Sequence, residues 1–364
     1  MQLLAAIRRT PLLWLLVFVP IVLAAEHFRP EAHTTLFLLS ILAIVPLAAL
    51  LSMATESVAA KTGDTIGGLL NATLGNLTEL VIALAALGAG EYTLVKASIA
   101  GAIVTNSLFM LGGSFLLGGL KHHVQEFNRS TARLQAGLLF LATVALLIPS
   151  AISRADATPE AAFTEKLSVG LAILLMVTYA LGLVFSLKTH RDFFGSAAHA
   201  ADEEEEHWPM GVALATLAGV TVLVALVSEV FVGSVQDAAL ALGISQAFVG
   251  FIVVALVSAA AEMAAAFAGA RKNRLDLSVG IALGSAAQIA LFVAPALVLL
   301  SYVIGPAPMS LQLWPGAVTM IVIATLTAAL VTTSGRSAWF IGVLVLVVYA
   351  ALALTLYLLP PPTA

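Results

Sequence analysis

The chain has 364 residues, 61% hydrophobic and only 10% charged, where soluble domains run at roughly 45–50% and 25%, so a soluble fold is excluded. A net charge of −4 with scattered Lys and Arg excludes a nucleic-acid binder, which needs a concentrated basic surface. The lack of cysteine excludes a disulfide framework, thiolate zinc sites and a cysteine nucleophile, and leaves the redox compartment open.

A membrane-spanning helix needs about 20 mostly apolar residues. Apolar runs of spanning character, separated by polar or Gly/Pro-rich breaks, fall at residues 11–25, 34–55, 66–88, 96–119, 131–152 and 166–187. The polar stretch Lys188 to Trp208 follows, with the acidic run Asp202-Glu203-Glu204-Glu205-Glu206. Five more runs come at 209–232, 244–269, 276–302, 311–333 and 337–359. The expected architecture is an all-α integral membrane protein of about 11 helices. It divides into an N-terminal helix (1–33), a first five-helix repeat (34–187), an acidic linker (188–208) and a second five-helix repeat (209–364). The first run follows Arg8 and Arg9 and ends in Leu23-Ala24-Ala25, so it also fits a cleaved signal peptide; its removal would leave the other spans facing as before.

Short cytoplasmic loops carry the excess of Lys and Arg. With the N-terminus inside, twelve of the sixteen basic residues fall on cytoplasmic loops and four (Arg29, Lys96, Arg154, Lys166) on the other side, leaving none inside a span. The expected location is a bacterial-type inner membrane, with the N-terminus and the acidic linker cytoplasmic.

A five-span unit repeated in tandem must insert upside down the second time, which is the inverted-repeat plan of many secondary transporters. Similarity between the halves is weak but falls in corresponding places. Glu79 precedes Gly101 and Asn106 as Glu262 precedes Gly284 and Gln288, and the acid-to-glycine spacing is 22 residues in both. Glu56 and Glu229 also sit alike, near the end of the first span of each half, where an interfacial structural role is expected.

A carboxylate at membrane depth is costly, so such acids are rare and usually functional. With no basic residue in a span to neutralise them, Glu79 and Glu262 must be protonated or bound to a cation, and that alternation is the chemistry of a proton-coupled cation exchanger. Asn76 and Glu79 lie one helical turn apart, and Gly75 is a place where the helix can unwind to expose carbonyls. Carboxylate, amide, hydroxyl and carbonyl oxygens suit a hard cation such as Ca²⁺, which takes about 6–8 of them. All seven histidines lie in loops or at span ends, so zinc is a poor candidate. Gly67-Gly68 and Gly112-Gly113 are expected to permit close helix packing, and the acidic run to be a solvated linker. No cofactor is expected; Ca²⁺ and H⁺ are the expected cargo and the lipid bilayer the expected surroundings.

The stretch from Gly67-Gly68-Leu69-Leu70-Asn71 through Gly75-Asn76-Leu77-Thr78-Glu79-Leu80 closely resembles the first signature repeat of the calcium/proton exchanger (CAX) family of the calcium:cation antiporter superfamily. The likeness continues in Val95 to Gly101, Asn106, Gln125-Glu126-Phe127-Asn128, Ser228-Glu229, Asp276-Leu277-Ser278, Gly284-Ser285 and Gln288 to Pro295. The resemblance implies export or sequestration of calcium driven by a proton gradient. Glu79 and Glu262 would be at a central site open alternately to each side, with Asn76, Asn106, Ser285 and Gln288 as flanking ligands or hydrogen-bond partners.

The second signature departs from the family pattern. Where Gly-Asn-Ala-Ala-Glu-His is usual, the chain reads Ser258-Ala259-Ala260-Ala261-Glu262-Met263, lacking the amide and the imidazole. The alternatives to Ca²⁺/H⁺ antiport are therefore a Na⁺ or K⁺/proton antiporter of the same fold, or a degenerate relative that does not transport. An enzyme is not expected.

Overall fold

The computed structural model describes residues 7, 8, 10–155, 161–190 and 208–359. The acidic run Asp202–Glu206, with His199 and His207, lies outside the described residues. The helices are α1 (Pro11–Phe28), α2 (His33–Lys61), α3 (Asp64–Leu74), α4 (Leu77–Gly88), α5 (Tyr92–His122), α6 (Arg129–Ala155) and α7 (Ala161–Val184). After the linker come α8 (Met210–Leu242), α9 (Gln246–Ser258), α10 (Ala260–Arg271), α11 (Leu275–Leu300), α12 (Pro315–Thr332) and α13 (Trp339–Leu358). Among the described residues nine helices are long and apolar enough to cross a membrane, and the bent pairs α3/α4 and α9/α10 bring the number to eleven.

Those bent pairs are the runs 66–88 and 244–269, each expected as one span. The bend is 41° in the first and 58° in the second. At the first break Asn76 leaves helical geometry (φ −100°, ψ 31°), and at the second Ala259 does the same (φ −83°, ψ 7°). A broken helix needs substitute partners for its backbone groups at membrane depth. One is on view: the Tyr179 hydroxyl, from α7, donates to the Ala72 carbonyl at 2.5 Å. Tyr179 is itself stacked on Phe292 of α11.

The two first spans of the halves, α2 and α8, pack against each other along the middle of the molecule, with Phe37 stacked on Phe231. Helix α5 crosses α9 at backbone contact. A Cβ on Gly101 would lie 2.1 Å from the Phe251 carbonyl oxygen, and one on Gly250 would lie 2.6 Å from the Ala97 methyl. Small residues permit such approaches, and in lipid it is packing of this kind that holds helices together. Gly113 likewise admits the Phe267 ring, and Gly67 the Ala59 carbonyl, as expected of those glycine pairs.

Helices α5 and α11, which correspond in the two halves, both widen into a π turn at their middle, Thr105–Met110 and Ile289–Val293. Such turns loosen the backbone ladder and cluster at functional sites.

Two features depart from the expected all-helical plan with no basic residue in a span. Strands β1 (Val124–Glu126) and β2 (Arg336–Ala338) pair antiparallel and tie the α5–α6 loop to the α12–α13 loop. Lys96 sits inside the first turns of α5 rather than in a loop, and its ammonium reaches Ser310 Oγ at 3.2 Å.

Candidate cation site

The breaks position the central acids. Glu79 and Glu262 each lie on the first turn of the downstream half-helix, three residues past Asn76 and Ala259 respectively. The N-terminus of a helix carries partial positive charge from its free N–H groups, which favours a carboxylate there. The upstream half-helices end in carbonyls, which favour a cation. One break therefore supplies an anchor for the acid and oxygens for the ion.

The two acids face each other closely enough to interact electrostatically, and Glu56 is close enough to add its own field at Glu262. The Ser258 hydroxyl approaches the Glu79 carboxylate, and the Ser285 hydroxyl approaches that of Glu262. Among the described residues neither acid has a Lys, Arg or His partner. Glu79 Oε1 and Glu262 Oε2 are buried without a hydrogen bond.

Access to the two differs. A vestibule of about 360 Å³ is lined by Glu56, Asn71, Gly75, Gln135, Asp276, Glu262, Ser285 and Gln288. Glu79 borders only a small space of about 10 Å³, shared with Ser98 and Ser258. Such a volume has room for about one water-sized particle. The vestibule mouth is polar: Ser52 donates to Glu56 at 2.9 Å, and the Asn128 amide N–H donates to Asp276 Oδ1.

The flanking residues differ in their surroundings. Asn76 Nδ2 donates to Gln288 Oε1 at 2.5 Å, joining the first break to the residue just ahead of the π turn of α11. Ser285 lines the vestibule beside Glu262. Asn106, on the π turn of α5, is fully buried and neither its Nδ2 nor its Oδ1 has a partner among the described residues. Glu56 and Glu229, alike in sequence position, are unlike in place: Glu56 faces the vestibule, whereas Glu229 is exposed on α8 outside the vestibule lining. Gly101 and Gly284 differ as well, since Gly101 is pressed on α9 and Gly284 opens on the vestibule.

Sequence reading singled out neither Gln135 nor Tyr179. Each is an isolated polar side chain on an apolar helix, and that was the available signal. No group of three or more His, Asp and Glu converges among the described residues. The candidate site is two carboxylates with neutral oxygens around them.

Known proteins share the sequence and the fold. The family model described as sodium/calcium exchanger protein matches twice, over residues 32–188 and 212–358. A Ca²⁺/H⁺ antiporter of Aphanothece halophytica is 38% identical over 359 residues, covering 95% of this chain and 96% of that one. The Ca²⁺/H⁺ antiporter ChaA of Bacillus subtilis (strain 168) is 40% identical over 327 residues, covering 89% and 92%. The solved structure of native YfkE superposes with a TM-score of 0.81 at 35% identity, covering 94% of this chain and 98% of that one. The chain belongs to the sodium/calcium exchanger protein family.

Proposed function

We propose that this chain exchanges Ca²⁺ for H⁺ across a membrane, with Glu79 and Glu262 alternately protonated and bound to the cation. The observation that carries the reading is the pair itself: two unsalted carboxylates on half-helix N-termini, one in each half, with unequal access. A cation held between them neutralises charge that would otherwise need protons, so its arrival releases protons and its departure recovers them. That exclusion is antiport. The relatives named as Ca²⁺/H⁺ antiporters support Ca²⁺ as the cargo.

The vestibule opens at the end of the molecule where α2 finishes at Lys61 and where α5 and α10 finish at Lys121 and Arg271. Under the positive-inside rule this is the cytoplasmic end. The arrangement is then an inward-open state, with Glu262 reached from the cytoplasm and Glu79 shielded on the far side. In the opposite state the inverted symmetry exposes Glu79, and Glu229 becomes the counterpart of Glu56 at the outer mouth. The N-terminus and the acidic linker lie on the cytoplasmic side in this reading.

A monovalent cargo is favoured by one observation. Ala259 brings no oxygen to the second break, and a site with fewer ligands penalises Ca²⁺ more than Na⁺. The test is proton flux in proteoliposomes under an imposed pH gradient, with Ca²⁺, Na⁺ or K⁺ added. Calcium-driven flux exceeding that of both monovalent ions supports the proposal; flux with Na⁺ or K⁺ alone rejects it.

A further inference from the structure

Ser258 is the last residue of α9, one position before the second break, and it is 4% exposed. A buried hydroxyl at membrane depth normally satisfies itself on the carbonyl one turn back. Here that bond is stretched to the limit, with Ser258 Oγ 3.5 Å from the Ala255 carbonyl oxygen. The hydroxyl instead borders the small space next to Glu79, whose Oε1 has no partner. The group therefore keeps lone pairs free beside a free carboxylate oxygen.

The first half carries no hydroxyl at the matching place. The equivalent position, four residues before Glu79, is Gly75, where a Cβ would lie 2.6 Å from the Asn71 carbonyl oxygen. Its neighbour Asn76 carries the oxygen instead: its Nδ2 is engaged with Gln288, while its Oδ1 is buried without a partner among the described residues. In the second half the order is reversed, with a hydroxyl at Ser258 and nothing at Ala259. The two halves each bring one neutral side-chain oxygen to the break, displaced by one residue.

We propose that Ser258 Oγ is a ligand of the transported cation, binding it together with Glu79 and supplying from the second half the oxygen that Ala259 lacks. The proposal rests on the calcium reading above. A hydroxyl is neutral, so Ser258 leaves the charge balance between ion and protons untouched. It acts on affinity and on the choice of ion, because Ca²⁺ must replace more of its hydration shell than Na⁺.

The experiment is equilibrium binding of ⁴⁵Ca²⁺ to the purified full chain in nanodiscs, with Na⁺ competition and melting in the absence of Ca²⁺ measured on the same samples. Ser258→Ala removes one oxygen and keeps a helix-forming residue, so it is expected to melt like the wild type and to bind Ca²⁺ about five-fold more weakly. Sodium competition should weaken less, and Ser258→Thr, which keeps the hydroxyl, should restore the Ca²⁺ affinity. Wild-type affinity in Ser258→Ala overturns the ligand while leaving the calcium reading in place. An equal loss in Ser258→Ala and Ser258→Thr with lowered melting also overturns it, since packing then accounts for the effect. A wild-type chain that binds no Ca²⁺ overturns the calcium reading itself and the ligand with it.

Discussion

Asn76 and Gln288 are 212 residues apart and meet side chain to side chain at 2.5 Å, so that the break in one half is fastened to the residue just ahead of the π turn of the other. The inverse pairing would join the second break to the π turn of α5. It is missing: the second break is Ala259, and Asn106 on that turn has both amide atoms buried and unpartnered. A buried amide without partners costs free energy comparable to a lost hydrogen bond, roughly 1–3 kcal/mol.

Ala259→Asn returns an amide to the second break. We expect the Ca²⁺ preference over Na⁺ to rise several-fold, corresponding to about 1 kcal/mol for one added oxygen or hydrogen bond. Ala259 is fully buried among Met110, Leu111 and Met263, so the larger side chain should also lower the melting temperature. Competition binding and thermal melting read the two effects separately. An unchanged Ca²⁺/Na⁺ ratio in a folded protein would mean that this position does not set selectivity.

The glycines at equal distance from the central acids should respond unequally. Gly101→Ala drives a methyl into the Phe251 backbone and is expected to destabilise by about 1–3 kcal/mol, separating α5 from α9. Gly284→Ala meets only the Gln135 amide nitrogen, at 3.3 Å, and should melt close to the wild type. Equal melting temperatures for the two variants would contradict the packing described for α5 and α9.

Glu56→Gln should weaken cation entry from the vestibule side, raising the half-saturating Ca²⁺ concentration on that side by a few-fold while leaving exchange active. Glu229→Gln should leave that side unaltered and act, if the halves exchange roles, on the opposite one. Sided flux measurements in oriented vesicles distinguish them. Identical effects of the two variants on the same side would remove the asymmetry between these acids.

A cysteine-free chain lends itself to single-cysteine labelling. Thr131→Cys lines the vestibule and Glu204→Cys lies in the acidic linker; both are expected to react with a membrane-impermeant maleimide only from the cytoplasmic side. Ca²⁺ should slow labelling at position 131 and not at 204. Reaction at either position from the outside alone would reverse the orientation.

The eleven-span plan was legible because spanning length and apolarity are properties of composition within a window, and the two acids were legible because charge at membrane depth is rare. The Gly75 break was readable from a glycine ahead of an amide and an acid. Its partner at Ala259 carries no such mark, since alanine is the best helix former and the break there depends on tertiary packing. The difference between Glu56 and Glu229 was hidden for the same reason. Position along a span does not give the rotation that decides whether a side chain meets the vestibule. Lys96 passed for a loop residue because hydropathy alone does not locate a helix start to within a turn.

The central claim is that Glu79 and Glu262 form one shared site for protons and cation. The most direct measurement is Ca²⁺-driven proton flux in proteoliposomes carrying wild-type, Glu79→Gln or Glu262→Gln protein, each shown to melt cooperatively. Glutamine keeps the shape and removes the exchangeable charge, so each variant should lose flux entirely. Near-normal Ca²⁺-driven proton flux in either variant would contradict the shared site.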